Sequence, residues 1–250
     1  MKRPRDKEKG SIGETIRTVV YAVLIAMVIR TFAYEPFNIP SESMLPTLLV
    51  GDYLFVSKYS YGYSRHSFPW SLPVIGERVL ERQPKRGDIA VFKLPSDNST
   101  DYIKRIVGLP GDRIQMRDGE VYVNGTRVPK VRTDDYIYAD SVGRRFRVPR
   151  YIETLPEGVR HETLDLIPQA DHDNTREFVV PERHFFAMGD NRDNSLDSRV
   201  GGGVGMIPAR NLVGRAEFLF FSTDGSARLW EVWRWPFAIR YERLFARLSH

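Results

Sequence analysis

Cysteine is absent from this 250-residue chain. That excludes thiol nucleophiles, disulfides and thiolate metal sites together. It leaves the compartment open, because an exported domain of this size can fold without disulfides. Histidine is scarce: His66, His161, His172, His184 and His250 show neither triad nor metal-ligand spacing. Only His184 falls near the residues singled out below, and a structural role is expected for it. A one-sided charge balance is also missing. The net charge of +5 is mild, and Lys and Arg are scattered except at the two termini, unlike the clustered basic face of a nucleic-acid binder. There is no internal repeat and no low-complexity tract, and long apolar runs are confined to one.

That run is Thr18 to Ile29, uncharged and flanked by Arg17 and Arg30. It is short for a spanning helix, but snorkelling of the two arginines extends the usable span to about Thr15–Tyr34. Thr31-Phe32-Ala33 is a poor small-x-small site, so an uncleaved anchor is expected over a cleaved signal. Lys2, Arg3, Arg5, Lys7, Lys9 and Arg17 precede the run, and no basic residue lies between Thr31 and Ser57. The positive-inside bias therefore places the N-terminus in the cytoplasm and the rest outside. The tail Leu229–Phe237 carries Trp230, Trp233 and Trp235 among charges. It suits either a membrane interface or a surface helix packed on the domain.

Beyond the anchor, short apolar runs alternate with turn chemistry. Strands are expected at Tyr53–Val56, Ile89–Phe92, Tyr102–Val107, Glu120–Val123, Glu177–Val180, His184–Met188 and Ala216–Phe221. Arg86-Gly-Asp, Pro110-Gly-Asp, Asn124-Gly and Asp224-Gly separate them. The fold class is mainly β: an N-terminal transmembrane helix, then a β-sheet domain with an inserted smaller β subdomain. The boundaries read as 1–14 tail, 15–34 anchor, 35–112 and 182–250 core, and 113–181 insertion. Asn124-Gly125 also opens a glycosylation sequon, which a two-residue hairpin turn explains better. Residues 59–82 and 131–173 lack clear periodicity and read as an extended loop or ribbon and as a peripheral subdomain or ordered loops.

Two residues stand out for chemistry. Ser43 follows the anchor closely, and a serine hydroxyl needs a neighbouring base to become a nucleophile. Lys104 lies in Tyr102–Val107, where strand alternation puts it on the face of Tyr102 and Ile106 with Arg105 on the other. A lysine buried there has a lowered pKa and can act as a general base, whereas one at a sheet edge would simply snorkel. The polar run Gly189–Arg199 fails as a calcium loop in both registers: Arg192 occupies a ligand position in one, and Ser198 and Val204 replace the required Gly and Glu in the other. It reads instead as a hydrogen-bonded scaffold.

Four blocks occur in order behind the anchor: Ser41-Glu-Ser-Met-Leu-Pro-Thr-Leu48, Arg86-Gly-Asp-Ile-Ala-Val-Phe-Lys93, Asp101-Tyr-Ile-Lys-Arg-Ile-Val-Gly-Leu-Pro-Gly-Asp112 and Gly189-Asp-Asn-Arg-Asp-Asn-Ser-Leu-Asp-Ser-Arg199. Together they resemble the bacterial signal peptidase I family of Ser/Lys serine proteases, over the anchor and most of residues 37–221. The resemblance implies Ser43 as nucleophile and Lys104 as general base. It implies an oxyanion hole from the Ser41 hydroxyl and the Ser43 N–H, Ser195 positioning the lysine, and Asp197 with Arg199 supporting the site. It also implies cleavage of signal peptides from exported preproteins after small residues, on the outer (periplasmic) face of the bacterial cytoplasmic membrane. The protein is then single-pass, with the bilayer as a partner, no nucleic acid, no cofactor or metal, and a monomeric state. Three features depart from the family pattern: one anchor where some members have two, Val200–Gly205 where an aromatic is common, and Glu42 where many have glycine. The competing readings are a non-catalytic anchored β module that binds exported peptides and a self-cleaving Ser/Lys protease, against which the anchor argues.

Overall fold

The computed structural model describes residues 12–139, 144–227 and 230–248. The basic stretch at positions 2–9, Leu229 in the tail and His250 lie outside them. Helix α1 (Ile12–Phe32) has 21 residues, about 31 Å at 1.5 Å each. That matches a hydrocarbon core of about 30 Å. Nothing from Ile12 to Arg30 is buried against the protein. The helix begins three residues before the expected Thr15 and ends before Tyr34, which is instead captured by a strand.

The strands in chain order are β1 (Tyr34–Asn38), β2 (Asp52–Ser57), β3 (Ile89–Lys93), β4 (Asp101–Gly108), β5 (Arg113–Arg117), β6 (Glu120–Val123), β7 (Thr126–Arg127) and β8 (Lys130–Arg132). They continue with β9 (Tyr136–Ala139), β10 (Arg145–Val148), β11 (Arg150–Thr154), β12 (Arg160–Leu164), β13 (Phe178–Val179), β14 (His184–Met188), β15 (Ile207–Pro208) and β16 (Leu212–Ser222). The main sheet is antiparallel and has the order β1-β2-β16-β3-β4-β14-β15. Three smaller sheets, β13-β5-β6-β7, β12-β11-β8 and β10-β9, occupy the stretch between β4 and β14.

Strand β3 explains how the main sheet is buried on both faces. Ile89 and Val91 enter a cluster with Met44, Leu48, Leu54 and Leu219, while Ala90 and Phe92 enter another with Ile106, Phe185 and Leu212. A continuous apolar run is the sequence form of such a strand. Between β6 and β7, Asn124 and Gly125 have φ of 53° and 79°, the left-handed pair that a type I′ hairpin turn requires. The Asn124 amide donates to Asp112 Oδ1 at 2.8 Å, so this side chain is committed to the fold.

The anchor meets the sheet almost without a linker, since Ala33 alone separates α1 from β1. Glu35 Oε1 accepts from Arg30 at 2.6 Å, and Glu35 Oε2 pairs with the buried Lys58 at 2.7 Å. Lys58 N–H donates to the Ala33 carbonyl and Tyr63 Oη to the Phe32 carbonyl, both at 2.9 Å. The Phe32 ring lies edge-on to Tyr63 and Phe68.

Candidate active site

Strand β4 is covered unequally. β3 pairs along Asp101–Arg105, but β14 pairs only with Arg105, Ile106 and Gly108. The Asp101–Lys104 edge is therefore open. Facing it runs the segment after β1, and the two enclose a cleft of about 350 Å³ lined by Phe37, Ile39, Val91, Ile103, Ser43 and Lys104, among others.

Ser43 sits in a turn between β1 and β2 that is fastened from three directions. Met44 and Leu48 are fully buried in the first core cluster. Asn191 donates its N–H to the Ser43 carbonyl and its side-chain amide to the Glu42 carbonyl, both at 3.1 Å. Thr47 Oγ1 donates to Asp190 Oδ2 at 2.6 Å. Gly189 is required here: a Cβ would lie 2.5 Å from the Ser43 carbonyl oxygen and closer still to Ser195 Oγ.

Lys104 Nζ lies 2.7 Å from Ser43 Oγ and donates to it, and lies 3.0 Å from the Ile103 carbonyl. Lys104 is 3% exposed, on the face of Tyr102 and Ile106 that alternation predicts. Burial pushes its pKa down to about 8, against the opposing pull of Asp197 and Asp190. Ser41 Oγ stands 3.3 Å from Ser43 Oγ. The Ser43 N–H makes no backbone hydrogen bond among the described residues.

Asp197 and Arg199 form a buried two-point pair, with Nε to Oδ1 and Nη2 to Oδ2 both at 2.9 Å. Gly189 N–H donates to Asp197 Oδ2 at 3.0 Å. Burial alone would raise the Asp197 carboxyl, yet Arg199 and the nearby N–H groups hold it below the usual range. Ser195 is buried in the same loop, but its Oγ has no hydrogen-bond partner among the described residues, and the lysine amine is held by Ser43 and Ile103 instead.

Three features of the site have no place in the sequence reading above. Arg105 binds Asp190 at two points, 2.8 and 2.7 Å, and donates to the Gly87 carbonyl at 2.8 Å. It points away from Lys104 into protein, not solvent. Behind it Arg192 pairs with Glu153, both buried. His161 is wedged between these pairs, 3.7 Å from Glu153 Oε2 and 3.9 Å from Asp190 Oδ1. Burial, with the Arg105 charge, pushes its pKa down to about 4. So the histidine near the site is His161. His184 is paired with Pro208 at the far end of β14, its Nδ1 2.8 Å from the Glu182 carbonyl. The alternation of β4 was the available signal for Arg105; His161 lies where the sequence has little periodicity.

A family model described as "Signal peptidase, peptidase S26" matches residues 12–221. A signal peptidase I from Rickettsia typhi is 39% identical over 231 residues, covering 89% of this chain and 85% of that protein. One from Rickettsia canadensis is 40% identical over 215 residues, covering 83% and 79%. A crystal structure of a signal peptidase I from Enterococcus faecalis V583 is 26% identical and covers 54% of this chain and 97% of that one, with a TM-score of 0.32.

Proposed function

Since this chain belongs to the signal peptidase family, peptidase S26, and is a signal-peptide-cleaving serine endopeptidase, we propose which of its residues carry that reaction and where it takes place. The observation that carries the assignment is the 2.7 Å contact between Lys104 Nζ and Ser43 Oγ, both buried. Ser43 is the nucleophile and Lys104 the general base. Ser43 Oγ attacks the scissile carbonyl carbon as its proton passes to the neutral Lys104 amine. The oxyanion is met by the Ser41 hydroxyl and the Ser43 N–H, donors aimed at charge that develops only in the transition state. The C–N bond then breaks, Lys104 returns the proton to the leaving amine, and the acyl-enzyme is hydrolysed by water that Lys104 deprotonates in turn.

Substrate adds as an extended strand to the open Asp101–Lys104 edge, as peptides do at unpaired sheet edges. The apolar wall of Phe37, Ile39, Val91 and Ile103 takes small side chains preceding the cut. Ser195 positions the lysine, and the Asp197–Arg199 pair supports the site by holding the loop. Residues 113–181 form the inserted subdomain. α1 crosses the cytoplasmic membrane once with its N-terminus inside, the cleft faces the outer side, the domain touches lipid, and the protein works as a monomer. Measuring cleavage of a peptide with alanines preceding the intended cut, with Ser43→Ala as control, tests the reading: wild type should cleave it at one bond and the variant should not.

A further inference from the structure

Glu42 lies between the two site serines, and its side chain lines the same cleft. Asn194 Nδ2 donates to Glu42 Oε2 at 3.2 Å while Asn191 holds the Glu42 carbonyl, so both ends of the residue are fixed to the 190–199 loop. Of the other charged groups of the cleft, Asp101 pairs with Lys93 at 2.9 Å, and Lys104, bonded to Ser43, is the neutral base in the reacting enzyme of the function proposed above. Glu42 has no ion pair of its own among the described residues. Phe37, Ile39, Val91 and Ile103 give the cleft an apolar wall, and Glu42, next to Ser43 in the chain, lines it together with Asn194. The function proposed above puts the acyl half of the substrate on the apolar wall, which leaves the Glu42 side to the residues after the scissile bond.

We propose that Glu42 is a specificity-determining residue that selects against acidic side chains, and in favour of basic ones, in the first two positions after the scissile bond. This rests on the function proposed above. A single charge pair a few ångströms apart in a water-filled cleft shifts the ratio of kcat/KM for a lysine over an aspartate substrate by about tenfold, and salt reduces the shift.

The test uses the full chain in detergent and three peptides differing only by Lys, Ala or Asp at the first position after the bond, with a second set varied one position on. Each enzyme's own Lys-to-Asp ratio is the readout, so changes in overall activity cancel. Wild type should prefer Lys, Glu42→Gln should bring the ratio near one while keeping an oxygen for Asn194, and Glu42→Lys should invert it. A wild-type ratio near one, or a ratio unchanged in Glu42→Gln, overturns the inference. Failure of wild type to cleave any of the peptides, the Ala peptide included, would instead overturn the proposed function.

Discussion

In the proposed mechanism the 2.7 Å contact between Lys104 and Ser43 makes the amine the group whose protonation governs activity. Burial holds its pKa near 8, so the charged form dominates below that value and cannot accept a proton. kcat/KM should therefore rise with pH through an apparent pKa of about 8. A histidine base would put the rise near 6.5, and a profile already flat from that pH upward would contradict Lys104 as base. Lys104→Arg keeps a cation that does not deprotonate. It should lose roughly 10²–10⁴-fold in kcat while still folding, measured by peptide cleavage alongside circular dichroism. Ser41→Ala removes one oxyanion donor and should cost on the order of 10²-fold, leaving activity that Ser43→Ala lacks. Ser43 and Lys104 were legible in the sequence because each carries a local signal, a short motif and a charge in an apolar strand. His161 carried none: its surroundings are assembled from β4, β11, β12 and the 190–199 loop, which only the fold brings together.

At the scale of elements, long apolar strands were readable and polar edge strands were not. β2, β3, β4, β6 and β14 lie where alternating or continuous apolar residues predict them. β1 has Glu35 and Pro36 in a five-residue strand at the sheet edge, where proline is tolerated and periodicity is lost. Within residues 131–173, strands β9 to β12 pair in small sheets, and their buried positions include Glu153, His161 and Thr163, so burial there leaves no apolar periodicity to read. The turn carrying Ser43 depends on a distant element, the loop after β14. Asp190 links the two through Thr47 and the buried Arg105. Asp190→Ala would leave that guanidinium buried and unpaired, and urea unfolding should show a loss of about 3–5 kcal/mol. A loss below 1 kcal/mol would mean that the loop is held by its backbone bonds alone.

For the whole molecule, acid is the condition to which the buried polar layer is most sensitive. His161 is neutral in the fold, with a pKa near 4 against about 6.5 in the unfolded chain. The unfolded state thus takes up the proton first. Stability contributed by the neutral ring is complete above pH 6.5 and is lost as pH falls from 6.5 towards 4. The shift corresponds to up to about 3 kcal/mol, so the wild-type melting temperature should drop over that interval more steeply than that of His161→Phe. The proposed lipid contact belongs to the same scale. Trp230, Trp233 and Phe237 are largely exposed. A protein lacking residues 1–33 should still float with liposomes, and its complete absence from the lipid fraction would leave α1 as the sole attachment.

The junction of α1 and β1 has a consequence for where substrates are cut. With one residue between helix and strand, and Glu35 tying Arg30 to Lys58 across it, the cleft cannot drift relative to the end of the helix. With α1 crossing the bilayer as proposed, the height of the cleft above it is a fixed length, and the enzyme is a gauge. A substrate whose own apolar helix stops at the same membrane surface presents its chain to Ser43 after a set number of residues. Lengthening the junction with two glycines after Ala33 should leave cleavage of short soluble peptides intact. On a membrane-inserted preprotein the cut should scatter among neighbouring small residues, a change that mass spectrometry of the released N-termini would reveal.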